Sequence, residues 1–341
     1  MKNKWMFLIY FVVFLSTMAG YYKLYSFQIG RSVKAEWWLV DVQHKKESLA
    51  KNVGENRIII ASGSNGLFGI NSKLMSELTA RPVVNMAMHG SLDISYYRKL
   101  LDRTVRKGDI VIMPLEYGFY FRKDMYSDWF VNNMLAWGSD YIDSLSMYGK
   151  AVLVTYTTFE RVMEGALSTT KRLTTPVIYI DAYKGNPNGR NYGYRYTSLN
   201  STGDMNIDPK GMGFVENTMN HKGYYSESLS YGKKDLVIEK YSEGELIKIR
   251  DMIKAKGAEL YITWPASMKT EYFNADDAES SLFAESLDSN LKRIGLNTIC
   301  DHFYANLSPD LFLDSTYHLN ASGANQRTKL LSQCVSSEIF H

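Results

Sequence analysis

Along most of the chain, short apolar runs that are typical of strands alternate with longer segments in which apolar residues recur at helical spacing. Short runs of apolar and β-branched residues, which suit strands buried in a parallel sheet, occur at residues 57–61, 82–86, 109–113, 260–264 and 297–300. Apolar residues at helical spacing predict helices over residues 66–79, 93–106, 235–256, 275–293 and 322–338. Because these strands and helices alternate, the pattern predicts an α/β fold with a doubly wound, flavodoxin-like parallel sheet.

The alternation stops between residues 116 and 234, where we predict a mixed insertion. This stretch contains two predicted helices, at about 126–146 and 149–172, and then a polar stretch rich in glycine, asparagine and tyrosine. Long irregular segments inside a compact domain are usually functional or disordered. We interpret the insertion as a cap over the active face of the sheet, and a mobile surface loop is the alternative.

The first 22 residues differ from the rest of the chain. After Lys2 and Lys4, the segment Trp5–Gly20 carries no charge, and Tyr21–Tyr22 adds aromatic residues at its end. A bilayer core needs about 20 apolar residues, and aromatic residues at both ends of a span resemble the belts found at membrane interfaces. These features predict a transmembrane signal anchor over residues 1–22.

A cleaved signal peptide is the alternative for this segment, because Thr17 and Ala19 are small residues of the kind found before a cleavage site. The signal-like layout predicts a single pass through the cytoplasmic (inner) membrane. The N-terminus would then be cytoplasmic and the bulk of the chain extracytoplasmic, in the periplasm. Residues 23–55 are predicted to form a linker and lead-in helix, and residues 56–341 the α/β domain that carries the insertion.

The composition of the chain argues against some classes of function. The 341 residues include 39 basic and 36 acidic ones, so the net charge of +3 is too weak a bias to predict nucleic-acid binding. The sequence has no His-x-x-x-His, no Cys-x-x-Cys and no dense carboxylate cluster, so we predict no metal ion and no cofactor. Its two cysteines, Cys300 and Cys334, fit a disulfide in an oxidising compartment, with two buried free thiols as the alternative.

The turn after the first predicted strand, Ser62-Gly63-Ser64-Asn65-Gly66, is the first candidate for chemistry. A serine here sits at the carboxyl edge of the sheet and at the start of a helix, where free backbone N–H groups favour negative charge. Ser64 is therefore a candidate nucleophile beside a site for an oxyanion. Serines also cap helices at such positions, and capping is the alternative for Ser64.

A second candidate lies near the end of the chain, in the segment DSTYHLN at 314–320. A histidine that acts as a general base needs a carboxylate to orient it, and Asp314 precedes His318 by four residues in a predicted loop. His318 is thus a candidate base and Asp314 its orienting acid. A histidine at a helix entry, bonded only to backbone, is the alternative.

Together, a strand–Ser–helix turn near the start and an Asp…His-Leu-Asn…Gly segment near the end resemble the SGNH (GDSL-like) hydrolases. The likeness covers roughly residues 57–115 and 235–338 and leaves 116–234 unassigned. The chain looks most like the membrane-anchored branch, which includes the alginate and peptidoglycan O-acetylation factors and the teichoic-acid D-alanylation accessory protein. The resemblance implies acyl chemistry on an exported cell-surface polysaccharide, beside a multi-spanning membrane acyltransferase as partner.

Residue by residue, the resemblance implies that Ser64 is the nucleophile, His318 the base and Asp314 the orienting acid. It also implies an oxyanion hole formed by the N–H groups of Ser64 and Gly90, the glycine of the segment NMAMHGS. The sequence departs from the family pattern at two points. The segment PLEY at 114–117 stands where the family's third block has Gly-x-Asn, and the Asp–His spacing is four rather than three.

Five residues are predicted to contact the substrate: Asn65, Glu116, Tyr117, Tyr194 and Arg195. The predicted function is an O-acyl transferase or esterase, with acetyl as the favoured acyl group, that acts on an exported polysaccharide through an acyl-serine. Two other classes stay open. One is a catalytically degenerate scaffold of the same fold that binds glycan or docks the acyltransferase. The other is a flavodoxin-like binding domain that holds an anion at the Ser64 turn.

Overall fold

A computed structural model describes residues 2–31, 35–124, 126–167, 199–206, 237–313 and 315–340. The chain divides into two compact units. One, the helical unit, is formed by Met1–Val40 and Tyr126–Asn191, and the other, the sheet unit, by Asp41–Met125 and Tyr192–His341. The described helices are, in chain order, α1 (Lys2–Gln28), α2 (Trp38–Asn52), α3 (Ser64–Gly69), α4 (Ser72–Thr79), α5 (Ile94–Thr104), α6 (Asp128–Trp137), α7 (Ser139–Asp143), α8 (Met147–Thr155), α9 (Phe159–Leu167), α10 (Lys240–Ala255), α11 (Ala278–Arg293) and α12 (Ala321–Glu338). Short 3₁₀ helices lie at Tyr117–Phe119 and Pro309–Leu311.

The sheet unit is built on a parallel sheet of five strands. These strands are β1 (Ile58–Ile60), β2 (Val83–Asn85), β3 (Ile110–Pro114), β4 (Glu259–Thr263) and β6 (Asn297–Thr298), in the spatial order β2-β1-β3-β4-β6. Two short strands, β5 (Ser267–Met268) and β7 (Asn306–Leu307), pair with each other in a second sheet. Counted along the chain, the strands of the main sheet follow the flavodoxin-like order. The predicted α/β fold with a doubly wound parallel sheet is confirmed.

Branched aliphatic side chains explain why the strands form where they do. Ile58 of β1 pairs in register with Val83 of β2 on one side and with Ile110 of β3 on the other. All three side chains are buried, and β-branched residues pack well on a pleated surface. Each such side chain contributes about 1.5–3 kcal/mol through the apolar area that it removes from water.

The single helix predicted over residues 66–79 is two helices, α3 and α4. Ile70 between them has an extended backbone, and Asn71 caps α4 by accepting the Leu74 N–H at 3.1 Å. Asparagine favours such N-cap positions because its side chain competes with the helix for backbone N–H groups. The break gives α3 only six residues.

In the residues that the structure describes, the helical unit contains α1, the start of α2, and α6 to α9 from the predicted insertion. α1 is long and apolar enough to cross a membrane, and it continues to Gln28, into the stretch predicted as a linker. The helix predicted over 126–146 is divided at Gly138 into α6 and α7. Within the one predicted over 149–172, the structure has α8 and α9, which are separated by residues 156–158, and residues 168–172 lie outside the described residues.

A disulfide joins Cys300 and Cys334, whose Cα atoms lie 5.5 Å apart. Cys300 comes shortly after β6, and Cys334 belongs to α12. Of the two alternatives that the sequence leaves open, the structure has the disulfide and not the pair of free thiols.

Residues 199–206, near the end of the predicted insertion, pack against the edge of the sheet. At the end of β2, the Asn85 N–H donates to the carbonyl of Thr202 at 3.2 Å. The amine of Lys46, which is fully buried, donates to the carbonyls of Asn85 at 2.8 Å and Gly203 at 2.7 Å. This segment is therefore fixed to β2 by both backbone and side-chain bonds.

Candidate functional site

The carboxyl ends of β1, β2 and β3 bring three of the predicted residues together. Ser64 is the first residue of α3, the helix after β1, and Gly90 follows β2. A Cβ atom built on Gly90 would lie 3.8 Å from Ser64 Oγ and 3.4 Å from Oε1 of Glu116, which follows β3. The strand order reverses between β1 and β3, and doubly wound sheets bind ligands at that point.

Gly63 makes this close approach feasible. A Cβ atom at this position would lie 2.6 Å from Gly90 Cα and 2.8 Å from Glu116 Cδ, so any side chain here would push the loops apart. Gly63 is also the N-cap residue of α3, and it offers no side-chain cap. Ser64 lies inside the helix, so the capping alternative for its side chain is wrong.

The carboxylate of Glu116 holds the turn that carries Ser64. Its Oε2 accepts the Gly63 N–H at 3.1 Å and its Oε1 accepts the Asn65 N–H at 2.9 Å. Burial raises the pKa of Glu116, and the backbone hydrogen bonds and nearby His318 partly oppose this. The intervening N–H, that of Ser64, has no acceptor among the described residues. The predicted oxyanion hole requires such an N–H without an acceptor.

His318 reaches the same edge of the sheet from the C-terminal part of the chain. It lies in a short loop closed by an antiparallel bridge between Phe312 and Leu319. Its ring stacks on Phe68, with 4.4 Å between the ring centroids. Since Phe68 lies about one helical turn after Ser64 on α3, the predicted base packs on the helix that begins with the predicted nucleophile.

The structure brings Ser64 and His318 to one site without a direct bond between them. No hydrogen bond joins Ser64 Oγ to another described residue. His318 is one of the groups that act on the pKa of Glu116 and on the pKa of His89, so all three side chains are near neighbours. Catalytic hydrogen bonds are often long without substrate and shorten only when it binds.

Three predicted site residues, Asp314, Tyr194 and Arg195, lie outside the described residues, and their roles stay predictions. Three others, Asn65, Glu116 and Tyr117, are buried. The Nδ2 of Asn65 donates to the carbonyl of Ala266 at 3.3 Å. The prediction that Asn65 contacts the substrate gains no support from this placement.

Tyr117 is likewise part of the core. Its ring packs edge to face against Phe273 and Phe283, with centroid distances of 5.7 Å and 5.0 Å. Only 1% of the residue is exposed. Such pairs stabilise the core beyond the area that they bury, so the structure gives Tyr117 a packing role, and its predicted substrate contact gains no support.

His89 and Arg122 shape the loop that contains Gly90. The Nδ1 of His89 accepts the Ser91 N–H at 3.0 Å, which assigns the ring proton to Nε2. Burial, reinforced by nearby His318 and Arg122, lowers the pKa of His89 to about 4, so this ring is neutral at pH 7. Arg122 donates to the carbonyls of Gly90 at 2.6 Å and Leu92 at 2.8 Å.

Arg327 of α12 supports the turn from the opposite end of the chain. It is fully buried, and it donates to the carbonyls of Asn65 at 3.0 Å and Trp264 at 3.2 Å. Neither Arg122 nor Arg327 was identified from the sequence. Their partners are backbone carbonyls from distant segments, and no motif or spacing marks such pairs.

One group of side chains in the described part of the chain has the composition of a metal site: Cys300, Cys334 and Glu338. Both sulfur atoms are joined in the disulfide. The sulfur ligand of a metal is a thiolate, and a disulfide does not provide one. This group therefore does not fit a metal ion.

Comparisons with known proteins do not assign a function to the chain. No family model matches the chain, and no curated protein matches it. Among solved structures, the chain is similar to protein YxiM from Bacillus subtilis, with 12% identity and a TM-score of 0.37. The match covers 84% of this chain and 57% of that one, so this chain spans little more than half of that protein's length. A likeness this remote carries no argument about activity.

Proposed function

We propose that this protein is an SGNH-type O-acyl transferase or esterase whose nucleophile is Ser64 and whose base is His318. One observation carries the proposal. The Ser64 hydroxyl lies at the start of α3 beside Gly90, and the imidazole of His318 packs on the same helix. An alcohol, an imidazole and two backbone N–H groups at one sheet edge are the parts that acyl transfer through serine requires.

The proposed reaction has two half-reactions. His318 takes the proton of Ser64 Oγ as this oxygen attacks the carbonyl carbon of an acyl ester, and the oxyanion formed is held by the N–H groups of Ser64 and Gly90. The intermediate collapses to acyl-Ser64, and the leaving alcohol takes the proton from His318. A sugar hydroxyl or water then attacks the acyl-serine, with His318 again as base, and restores Ser64.

Glu116 has a defined part in this proposal. The family's third block supplies an asparagine, and a carboxylate cannot replace it as a hydrogen-bond donor to an oxyanion. Both oxygens of Glu116 are occupied by the N–H groups of Gly63 and Asn65. The imidazole of His318 carries a positive charge during each half-reaction, and the nearby carboxylate of Glu116 attracts that charge. Glu116 is therefore a positioning residue that also stabilises the imidazolium.

The cellular setting is part of the proposal. We place the sheet unit on the extracytoplasmic side of a cytoplasmic membrane, in the periplasm, with α1 as the anchor. A helix of sufficient length and apolarity supports the anchor, and the disulfide supports an oxidising compartment. The exported polysaccharide as substrate and the multi-spanning acyltransferase as partner follow from the sequence resemblance.

A fluorophosphonate probe tests the nucleophile directly. Full-length protein in detergent should be labelled, and it should release the acyl group from a chromogenic acetyl ester. Both activities should be lost in Ser64→Ala and reduced at least about a hundredfold in His318→Ala. Ser91→Ala, which removes a neighbouring hydroxyl in the Gly90 loop, is the matched control and should behave as wild type. Equal labelling of Ser64→Ala and wild type would exclude Ser64 as the nucleophile.

A catalytically degenerate scaffold is the second candidate function, and one observation favours it. A carboxylate occupies the position of the family's asparagine, and no described residue hydrogen-bonds to Ser64 Oγ. This candidate predicts no labelling of wild type by the probe, together with calorimetric binding of acetylated glycan that Ser64→Ala leaves unchanged.

A further inference from the structure

One face of the last two turns of α1 is buried inside the helical unit, and this burial begins soon after the exposed apolar run ends. Residues 4–20 are exposed along the whole circumference of the helix, whereas Tyr25 and Gln28 are buried. α1 is one unbroken helix across both parts. The folded part of this unit therefore begins within a few residues of the point where the exposed apolar run ends.

α9 and the residues just before it provide this burial. Tyr25 Oη lies 3.5 Å from Oγ1 of Thr157, and Arg161 donates to Oε1 of Gln28 at 2.6 Å. A Cβ atom built on Gly165 would lie 2.7 Å from Gln28 Cβ, so this glycine allows the two helices to touch. Tyr25 contacts Thr157 and the later Gln28 contacts the later Arg161, so the two helices run in the same direction here. The start of α9 therefore lies nearest to the apolar run of α1.

The length of α1 indicates where this contact lies relative to a bilayer that the helix spans. At about 1.5 Å per residue, the segment from Trp5 to Tyr22 is about 27 Å long, close to the roughly 30 Å of a bilayer core. Tyr25 lies about 4.5 Å farther along the helix, inside an interfacial layer that is roughly 5–7 Å thick on each side. Because Thr157 contacts Tyr25, a bilayer spanned by Trp5–Tyr22 would place the turn between α8 and α9 at headgroup level.

Aromatic side chains are exposed at this turn. Tyr156 is 36% exposed and Phe159 is 64% exposed. α8, which leads into the turn, carries a single charged residue, Lys150, and begins with the exposed side chains of Met147 and Tyr148. Tyrosine and other amphipathic rings are enriched where membrane meets water, and an exposed phenylalanine is stabilised by lipid contact.

We propose that the α8–α9 corner, defined as residues 147–159, is a second membrane contact of this protein. Tyr156 and Phe159 insert among the headgroups and upper acyl chains of the leaflet at which α1 leaves the bilayer. The span and the corner together hold the helical unit against the membrane surface in one orientation. This proposal rests on α1 as a membrane span, and it does not depend on the proposed acyl chemistry.

Lipid quenching of a fluorescent label tests the proposal in the full-length chain. An environment-sensitive fluorophore is attached to a single introduced cysteine in Phe159→Cys, while Cys300 and Cys334 stay in their disulfide. The protein is placed in phosphatidylcholine vesicles brominated either near the headgroups or deep in the acyl chains. Leu167→Cys, 74% exposed and about 12 Å farther along α9, is the matched control. Val13→Cys reports on the span itself.

We expect blue-shifted emission at position 159 and quenching by the shallow bromines at least twice that at position 167. The label at position 13 should be quenched best by the deep bromines. If the label at position 13 is quenched and the label at position 159 is not, the membrane contact of the corner is excluded while the span stands. This holds whether aqueous iodide reaches position 159 or protein covers it. An unquenched label at 13 would overturn the span, and the proposal with it. Unchanged thermal unfolding checks that the labelled variants are folded.

Discussion

The guanidinium of Arg327 donates to the carbonyl oxygen of Asn65 at 3.0 Å, and this bond joins the last helix to the turn of the proposed nucleophile. A second N–H of Arg327 reaches the carbonyl of Trp264 at 3.2 Å. Arg327 and Asn65 are fully buried and Trp264 nearly so, and polar groups that lose their partner away from water are costly. The position of Ser64, beside Asn65, therefore depends on α12.

Replacement of Arg327 by methionine is expected to destabilise the sheet unit. The carbonyls of Asn65 and Trp264 would lose their donors, which should lower the free energy of unfolding by about 2–4 kcal/mol. Urea denaturation followed by tryptophan fluorescence measures this change. Lys329→Met, at an exposed position of the same helix, should change it by less than about 0.5 kcal/mol. Similar values for the two variants would contradict the role given to Arg327.

The substitution Glu116→Gln is expected to disturb the turn without changing its volume. A glutamine side chain accepts one of the two N–H groups and faces the other with its own NH₂ group, so one buried donor stays unpaired. We expect the rate of fluorophosphonate labelling to fall at least about tenfold and stability to fall by about 1–3 kcal/mol. Glu239→Gln, whose carboxylate is partly exposed beside Lys123, is the control. A labelling rate equal to wild type would remove Glu116 from the proposed site.

His89 makes the protein sensitive to acid. Its pKa is lowered to about 4 in the folded chain, from an ordinary 6.5, mainly because it is buried. The unfolded chain thus binds this proton more tightly, so the contribution of His89 to stability is complete above pH 6.5 and is lost as the pH falls towards 4. The full loss is about 3 kcal/mol.

His89→Asn tests this dependence, because the asparagine oxygen can still accept the Ser91 N–H. Denaturation between pH 7 and pH 4.5 should show a smaller loss of stability for this variant than for wild type. His44→Asn, at an exposed histidine, should retain the wild-type dependence. If His89→Asn and wild type lose stability in parallel, His89 is not the acid-sensitive group.

Lys46 is expected to make the stability of the protein depend on pH above pH 7. Burial lowers its pKa to about 7 from an ordinary 10.5, although nearby Asp204 opposes this shift. A neutral amine still has two N–H groups for the carbonyls of Asn85 and Gly203. Between pH 7 and pH 10.5 the unfolded chain binds more protons than the folded one. Stability should therefore rise with pH, by at most about 1.4 kcal/mol per pH unit.

Urea denaturation at pH 7 and pH 9.5 measures this rise. Lys46→Met should be less stable than wild type at both values and should lack the rise. Lys51→Met, at an exposed residue of the same helix, is the control and should show the rise of wild type. A decrease of wild-type stability over this range would refute the assignment of a low pKa to Lys46.

The two central strands β1 and β3 were predictable because they are unbroken apolar runs, Ile58–Ile60 and Ile110–Pro114. Helix boundaries were less predictable. Apolar spacing continues across Asn71, and only the capping bond of its side chain ends one helix and starts the next. Gly138 similarly divides a helix whose apolar pattern continues on both sides.

For the candidate site, local pattern identified Ser64, at the start of α3, and His318, in the loop before the last helix, and the family resemblance added Gly90. Local pattern did not identify buried or half-buried side chains that donate to backbone carbonyls far away in sequence. Arg327 and Arg122 are examples, since a lone arginine in a helix or loop is ordinarily exposed. The role of Glu116 was also not predictable, because its carboxylate comes close to the N–H groups of Gly63 and Asn65 only when β1 and β3 pair.

The register of the central strands has a consequence for how the chain folds. Ile110 of β3 pairs with Glu259 of β4, although the entire helical part of the insertion lies between them. Contacts between residues so far apart in sequence raise contact order and slow folding. On the ribosome, β3 emerges long before β4. The edge of β3 that pairs with β4 therefore stays unpaired while the intervening chain is synthesised. Completion of the sheet is thereby a late event, and any chaperone that protects this edge would act before β4 appears.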